Sequence, residues 1–92
     1  MNALVNSGVT MIASGRLDDA IGLFRHAIEV DPRSPRLRQV LALALVDRGD
    51  FGAAADQARE GLGLSENDPE MRALLGRTLA SALRGSAQRT KP

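Results

Sequence analysis

The chain has no cysteine, no tryptophan and no tyrosine, and only two phenylalanines, Phe24 and Phe51. Without cysteine there is no disulfide framework and no thiol chemistry. Two rings are too few for the stacking platforms that single-stranded nucleic acid needs. Charge of one sign is also lacking. Twelve basic residues against 11 acidic ones leave a net +1, which sets up no long-range field towards nucleic acid or an anionic membrane. No apolar run approaches the roughly 20 residues that span a bilayer, so no membrane partner is expected. The opening M-N-A-L-V-N-S-G-V-T-M-I-A-S has no basic lead and only a broken apolar stretch. A signal peptide is therefore not expected, and the cytoplasm is the expected location. Lysine occurs once, at Lys91, and every other basic residue is arginine. With abundant alanine and glycine, that usage points to a bacterial, GC-rich source. Ninety-two residues suffice for one domain with a modest core.

What is present is organised around Gly15 to Pro32, a helix with both ends written out. Gly15 suits the left-handed position that ends a preceding helix. Asp18 and Asp19 lie in the first turn, where acidic groups meet the positive end of the helix dipole. Ala20, Phe24, Ala27 and Ile28 form one stripe at helical spacing. Pro32 ends the helix, because it lacks a backbone donor and disfavours α geometry at Asp31. The small–large–small order of Ala20, Phe24 and Ala27 makes a notched face that another helix can straddle. One such helix cannot fold alone.

Its neighbours come at a fixed interval. Shifted by 34 positions, the chain maps onto itself. Ser34-Pro35-Arg36-Leu37-Arg38 aligns with Asp68-Pro69-Glu70-Met71-Arg72, and Leu41-Ala42 and Leu45 align with Leu75-Gly76 and Leu79. Gly49-Asp50-Phe51 aligns with Gly15-Arg16-Leu17, and Ala54 with Ala20. Leu4, Gly8, Met11, Ala20, Phe24, Ala27 and Pro32 fall in the slots of the pattern W-x2-L-G-x2-Y…A-x3-F…P, with Ser7 a departure at the Leu slot. The chain thus resembles the tetratricopeptide repeat family over residues 1 to about 84. The resemblance implies an all-α fold, an α-solenoid of antiparallel helix pairs.

The expected organisation is a first repeat at 1–34, a second at 35–68, a capping helix at 69–84 and a disordered tail at 85–92. The first helix should run from about Asn2, a candidate N-cap, to Ser14. Ser34 and Asp68 are expected N-caps, each followed by proline at the first helical position. The helix from Pro35 to Arg48 is apolar nearly all round, as suits the middle of an array. The next, about Phe51 to Leu62, is the weakest. Ala58 stands where the pattern has Phe, and Gly61 where it has Ala. Phe51 is a candidate to refill part of that volume. Gly61→Ala should stabilise if a methyl fits, and destabilise if Gly61 serves a close helix contact. The capping helix should cover Met71, Leu74, Leu75, Leu79 and Leu83 and leave Arg72, Arg77, Ser81 and Arg84 in water.

No pattern carries catalysis. His26, the single histidine, has no companion ligands and no nucleophile in its helix, so it reads as a surface residue. The serines read as caps or packing residues, and Gly8 and Gly15 do not form a phosphate cradle. An enzyme, a metal site and a cofactor are not expected. Arg33, Arg36 and Arg38 read as a solvated turn balanced by Asp31 and Glu70, and no nucleic-acid partner is expected.

The family resemblance implies a concave face lined by the first helix of each repeat. By register its positions are Asn2, Val5, Asn6, Val9 and Ile12, then Arg36, Gln39, Val40, Leu43 and Val46, then Glu70, Ala73, Leu74, Arg77 and Ala80. Leu43 lies about 200° from Leu41 and from Leu45 around its helix, so it must face away from the core they build. One subfamily grips acidic chaperone tails with a clamp of Lys, Asn, Asn, Lys and Arg. The matching slots here are Val5, Val9, Val40, Glu70 and Leu74, so that clamp is not expected. The leading reading is a module that binds an apolar or amphipathic protein or peptide segment in the groove. The alternative is a homo-oligomeric scaffold that stacks through an uncovered repeat edge. A third reading, an excised piece of a longer repeat protein, is less favoured.

Overall fold

The computed structural model describes residues 2–89, and among these it contains five α-helices and no strand. They are α1 (Asn2–Ala13), α2 (Leu17–Val30), α3 (Pro35–Arg48), α4 (Phe51–Gly63) and α5 (Pro69–Arg89). Local chemistry sets most of the boundaries. Gly15 and Gly49 have φ of 80° and 92°, the left-handed conformation that a Cβ would strain. Beyond each glycine the chain turns back on its helix. Arg16 N donates to the Met11 carbonyl at 2.7 Å, and Asp50 N to the Leu45 carbonyl at 2.9 Å, which closes both ends in the Schellman manner. Ser34 Oγ accepts from Leu37 N at 3.3 Å, and Asp68 Oδ1 accepts from Met71 N at 3.1 Å, so both expected caps form. The cap and concave roles read for Asn2 lie outside the described side chains.

The molecule measures 41 × 32 × 19 Å, and its short dimension holds two helix diameters of about 10 Å each. One layer is α1, α3 and α5, in which α3 touches both neighbours; the other is α2 and α4, which do not touch among the described residues. The three-helix layer is therefore the inner side of the curve. α3 touches all four other helices, which explains why its sequence is apolar nearly all round. Phe24, Leu37, Val40, Leu41, Leu45 and Leu75 are all less than 2% exposed and form the centre of the core.

The second repeat packs differently from its sequence expectation. A methyl on Gly61 would sit 2.7 Å from Leu75 Cδ2 and 3.3 Å from Arg38 Cβ. There is no room for it, so the close-contact alternative holds. Gly61 lets α5 approach α4, and Leu75 supplies the bulk that Ala58 lacks. Arg38 is not part of a solvated turn. It donates from Nη1 to Gln57 Oε1 at 2.9 Å and from Nη2 to the Pro32 carbonyl at 3.3 Å, tying the α2–α3 turn to α4.

The fifth helix also departs from expectation, for it continues to Arg89 where a disordered tail from residue 85 was expected. Nothing after Arg84 breaks a helix, and the ring of Phe51 lies against Gly85. A Cβ there would come within 2.6 Å of the ring's Cδ1 and Cζ. Residues 90–92 lie outside the described part. Leu83, expected on the covered side, is 46% exposed. It lies about 100° around the helix from the buried Ala82 and about 80° from the buried Leu75, on the flank beside the covered face.

Candidate functional site: the inner face of the three-helix layer

The inner face is built from side chains that α1, α3 and α5 turn away from the core. At its centre Leu43 is 41% exposed, while Leu41 and Leu45 on the opposite side are 1% exposed. Val9 on α1 is 45% exposed and extends the apolar strip towards the N-terminal end. Between α3 and α5 the surface dips into a shallow concavity of about 250 Å³ lined by Gln39, Leu43, Leu74, Arg77, Thr78 and Ser81.

The walls are polar and internally satisfied. Gln39 is buried, and its Oε1 accepts from Arg36 Nη1 at 3.2 Å, which fixes Arg36 along the rim. Thr78 is buried and donates Oγ1 to the Leu74 carbonyl at 2.9 Å, so its methyl is free to face the concavity. Arg77 is exposed and makes no ion pair among the described residues. The result is an apolar floor with cationic groups at its edges.

Of the residues read from the sequence, Gln39, Leu43, Leu74 and Arg77 meet in this concavity, and Arg36 stands beside it. Val9 and Ala73 are exposed on the same face. Val5 and Val40 are corrections, and Gln39 is one in part. Val5 is 4% exposed and Val40 1% exposed, and both belong to the same buried cluster as Phe24, Leu37 and Leu41, which leaves neither open to a partner. Gln39 is 4% exposed, so it supports Arg36 and offers little surface itself. Ile12 and Val46 are partly buried against the core and form the shoulder of the strip. Thr78 and Ser81 were not singled out from the sequence. Ser81 was read as wet, and Thr78 is an ordinary helix residue until α3 is placed beside it.

A larger concavity lies elsewhere, at the start of α2 and the end of α3. It holds about 480 Å³ and is lined by Gly15 to Asp19 with Asp47 and Arg48. Its charges mostly meet one another. Arg48 Nη1 is 2.6 Å from Asp18 Oδ1, its Nε 3.4 Å from Asp50 Oδ2, and Arg16 Nη2 2.9 Å from Asp19 Oδ2. Such exposed pairs contribute about 0–1 kcal/mol each. Among the described residues no group of carboxylates or histidines has the arrangement to hold a metal ion. His26 is exposed on α2, with Nδ1 3.9 Å from Glu29 Oε2.

Comparison with known proteins agrees with the architecture. The globular C-terminal domain of P. aeruginosa LpoP superposes with a TM-score of 0.88 at 27% identity, over 92% of this chain and 80% of that one. Surface lipoprotein assembly modifier 1 of Neisseria meningitidis is 40% identical over 57 residues, which is 62% of this chain and 12% of that protein. The chain thus spans a small part of that relative's length. The family model described as tetratricopeptide repeat matches residues 11–82. On the repeat period, the two-layer helix pairing and this match, the chain belongs to the tetratricopeptide repeat family.

Proposed function

We propose that the chain is a protein-interaction module, with no catalytic role, that holds an apolar or amphipathic segment of a partner along the α1–α3–α5 face. Leu43 carries this reading. A leucine 41% exposed at the centre of a concave face, on a helix whose other leucines are buried, is surface without an internal use. The helix-in-groove mode suits it, with Val9 and Leu43 as apolar contacts and Arg36 and Arg77 at the rim for carboxylates. The test compares native protein with Leu43→Glu. The variant should keep its helical circular dichroism and melting curve. Burial of a leucine against a ligand is worth about 1.5–3 kcal/mol, so partner binding should weaken by about tenfold or more. A folded variant that captures the same partner at full strength would remove this face as the site.

A second reading, self-assembly, has its own observation. At the N-terminal edge Val30 is 77% exposed beside a concavity of about 260 Å³ lined by Leu4, His26, Ala27, Val30 and Asp31. That edge is apolar enough to meet another copy. Sedimentation over a concentration series tests it: a dimer that Val30→Asp dissociates supports assembly, and a monomer at every concentration dismisses it. On location, one relative is named for surface lipoprotein assembly. Recovery of the protein in the envelope fraction of its cells would move it to that setting.

A further inference from the structure

Charge is unevenly spread over the inner face. α1 has no charged residue. α5 carries its charge in order along one stripe, Glu70, Arg77 and Arg84, each seven residues from the next. Seven residues turn a helix through about 700°, within about 20° of two full turns, so the three side chains leave α5 in nearly the same direction. Arg77 lines the α3–α5 concavity, and Arg84 Nη2 lies 3.5 Å from the Oγ of Ser81, which lines it too. Among the described residues no acid lines this concavity. Both arginines are exposed, and neither is in an ion pair among the described residues. Asp47, which the repeat places level with Ser81, lines the concavity at the start of α2. Glu70 stands at the other end of the stripe, level with Arg36.

We propose, resting on the reading of this face as a docking groove, that its occupant is an acidic amphipathic helix of a partner protein. Two of its carboxylates, seven residues apart, meet Arg77 and Arg84. An aliphatic side chain three or four positions from one of them sits on the floor made by Leu43 and Leu74. The spacing selects a helix. Arg77 and Arg84 are about 10.5 Å apart along α5. Seven residues of a second helix laid alongside cover the same rise and return to the same face. An extended segment covers it in about three residues, which puts the two side chains on opposite faces. Glu70 sets the register, because a partner acid slid seven residues towards it meets like charge. The two arginines also differ from the clamp of the chaperone-tail subfamily, whose slots on α5 hold Glu70 and Leu74.

The probes are labelled helical peptides, titrated into the full chain by fluorescence anisotropy. One has Leu and a Glu pair at this spacing, with Lys seven residues beyond the pair to face Glu70. Its counterpart has Glu and Lys exchanged, and each is made in both chain orders to cover both directions of docking. Saturable binding of the Glu-pair peptide is expected in one order, at least about tenfold tighter than its counterpart and weaker as salt rises. Arg77→Gln and Arg84→Gln should each weaken it by up to about fivefold, the reach of an exposed pair. Arg59→Gln, the same loss of charge on α4, should not. The double variant Arg77→Glu with Arg84→Glu should keep its circular dichroism, since both positions are exposed, and should prefer the exchanged peptide. Leu43→Ser should weaken both peptides. If the two peptides bind alike and Leu43→Ser weakens both, the groove stands and its selection for acid is overturned. If binding ignores Leu43→Ser as well as the arginines, the groove reading falls with it. No saturable binding by any peptide overturns the acidic helix and leaves the groove to the Leu43→Glu test.

Discussion

The two repeats solve the same packing problem with the bulk in different places. In the first, the second helix carries the large side chain: Phe24 is fully buried on Gly8. In the second, the second helix is small throughout its buried face, with Ala54, Ala55, Ala58 and Gly61, and the bulk comes from Leu75 on the following helix. The first repeat is closed by a ring pressed onto a glycine of the preceding helix. The second is closed by a leucine of the following helix pressed onto a glycine of α4. What the array requires at each interface is filled volume at close-packed density, and either partner can provide it.

The largest effect should come from removing the ring. Phe24→Ala leaves a cavity at the centre of the first repeat and should cost about 3–5 kcal/mol. That is a large part of the about 5–15 kcal/mol by which a domain is stable, so urea denaturation should show a much earlier midpoint or no folded baseline. If the cost is below that of a typical surface substitution, the first repeat does not depend on its ring and the comparison fails.

Gly61→Ala should destabilise the second repeat by about 1–3 kcal/mol, the usual range for overpacking. Leu75→Val should then relieve the clash. The two substitutions should be non-additive by at least about 0.5 kcal/mol in a double-mutant cycle by denaturation, as residues in contact are. Additivity would mean that Gly61 and Leu75 do not share the space described.

Deleting residues 85–92 uncovers one side of Phe51. Loss of about 1 kcal/mol lowers Tm by roughly 4–8 °C in a domain of this size, and scanning calorimetry should find a drop of that order. An unchanged Tm would show that the last helical turns add nothing to the closing of the second repeat. The smallest effect, and the only stabilising one, should be at Gly76→Ala. The site is helical and open, so the substitution should gain up to about 1 kcal/mol. A loss there would mean that α5 is already covered at that point. Gly61 and Gly76 then report the two extremes, a glycine needed for contact and a glycine facing space.

Helix number, helix boundaries and the repeat itself could be read from residues alone, because capping, left-handed glycines and proline stops act within a few positions. The caps at Ser34 and Asp68 and the stops at Gly15 and Gly49 are decided that locally. The outward direction of Leu43 followed from helical angle alone, and exposure agrees. What the tertiary structure decided is how closely particular helices approach. The burial of Val5 and Gln39, the inward turn of Arg38, the pairing of Arg48 with Asp18 and the meeting of Thr78 and Ser81 with Leu43 all depend on that distance. So does the meaning of a glycine. Gly8, Gly61 and Gly76 are identical in the sequence, and only the neighbouring helix, or the space where one would lie, distinguishes them, because steric contact is a property of two surfaces and a sequence position describes one.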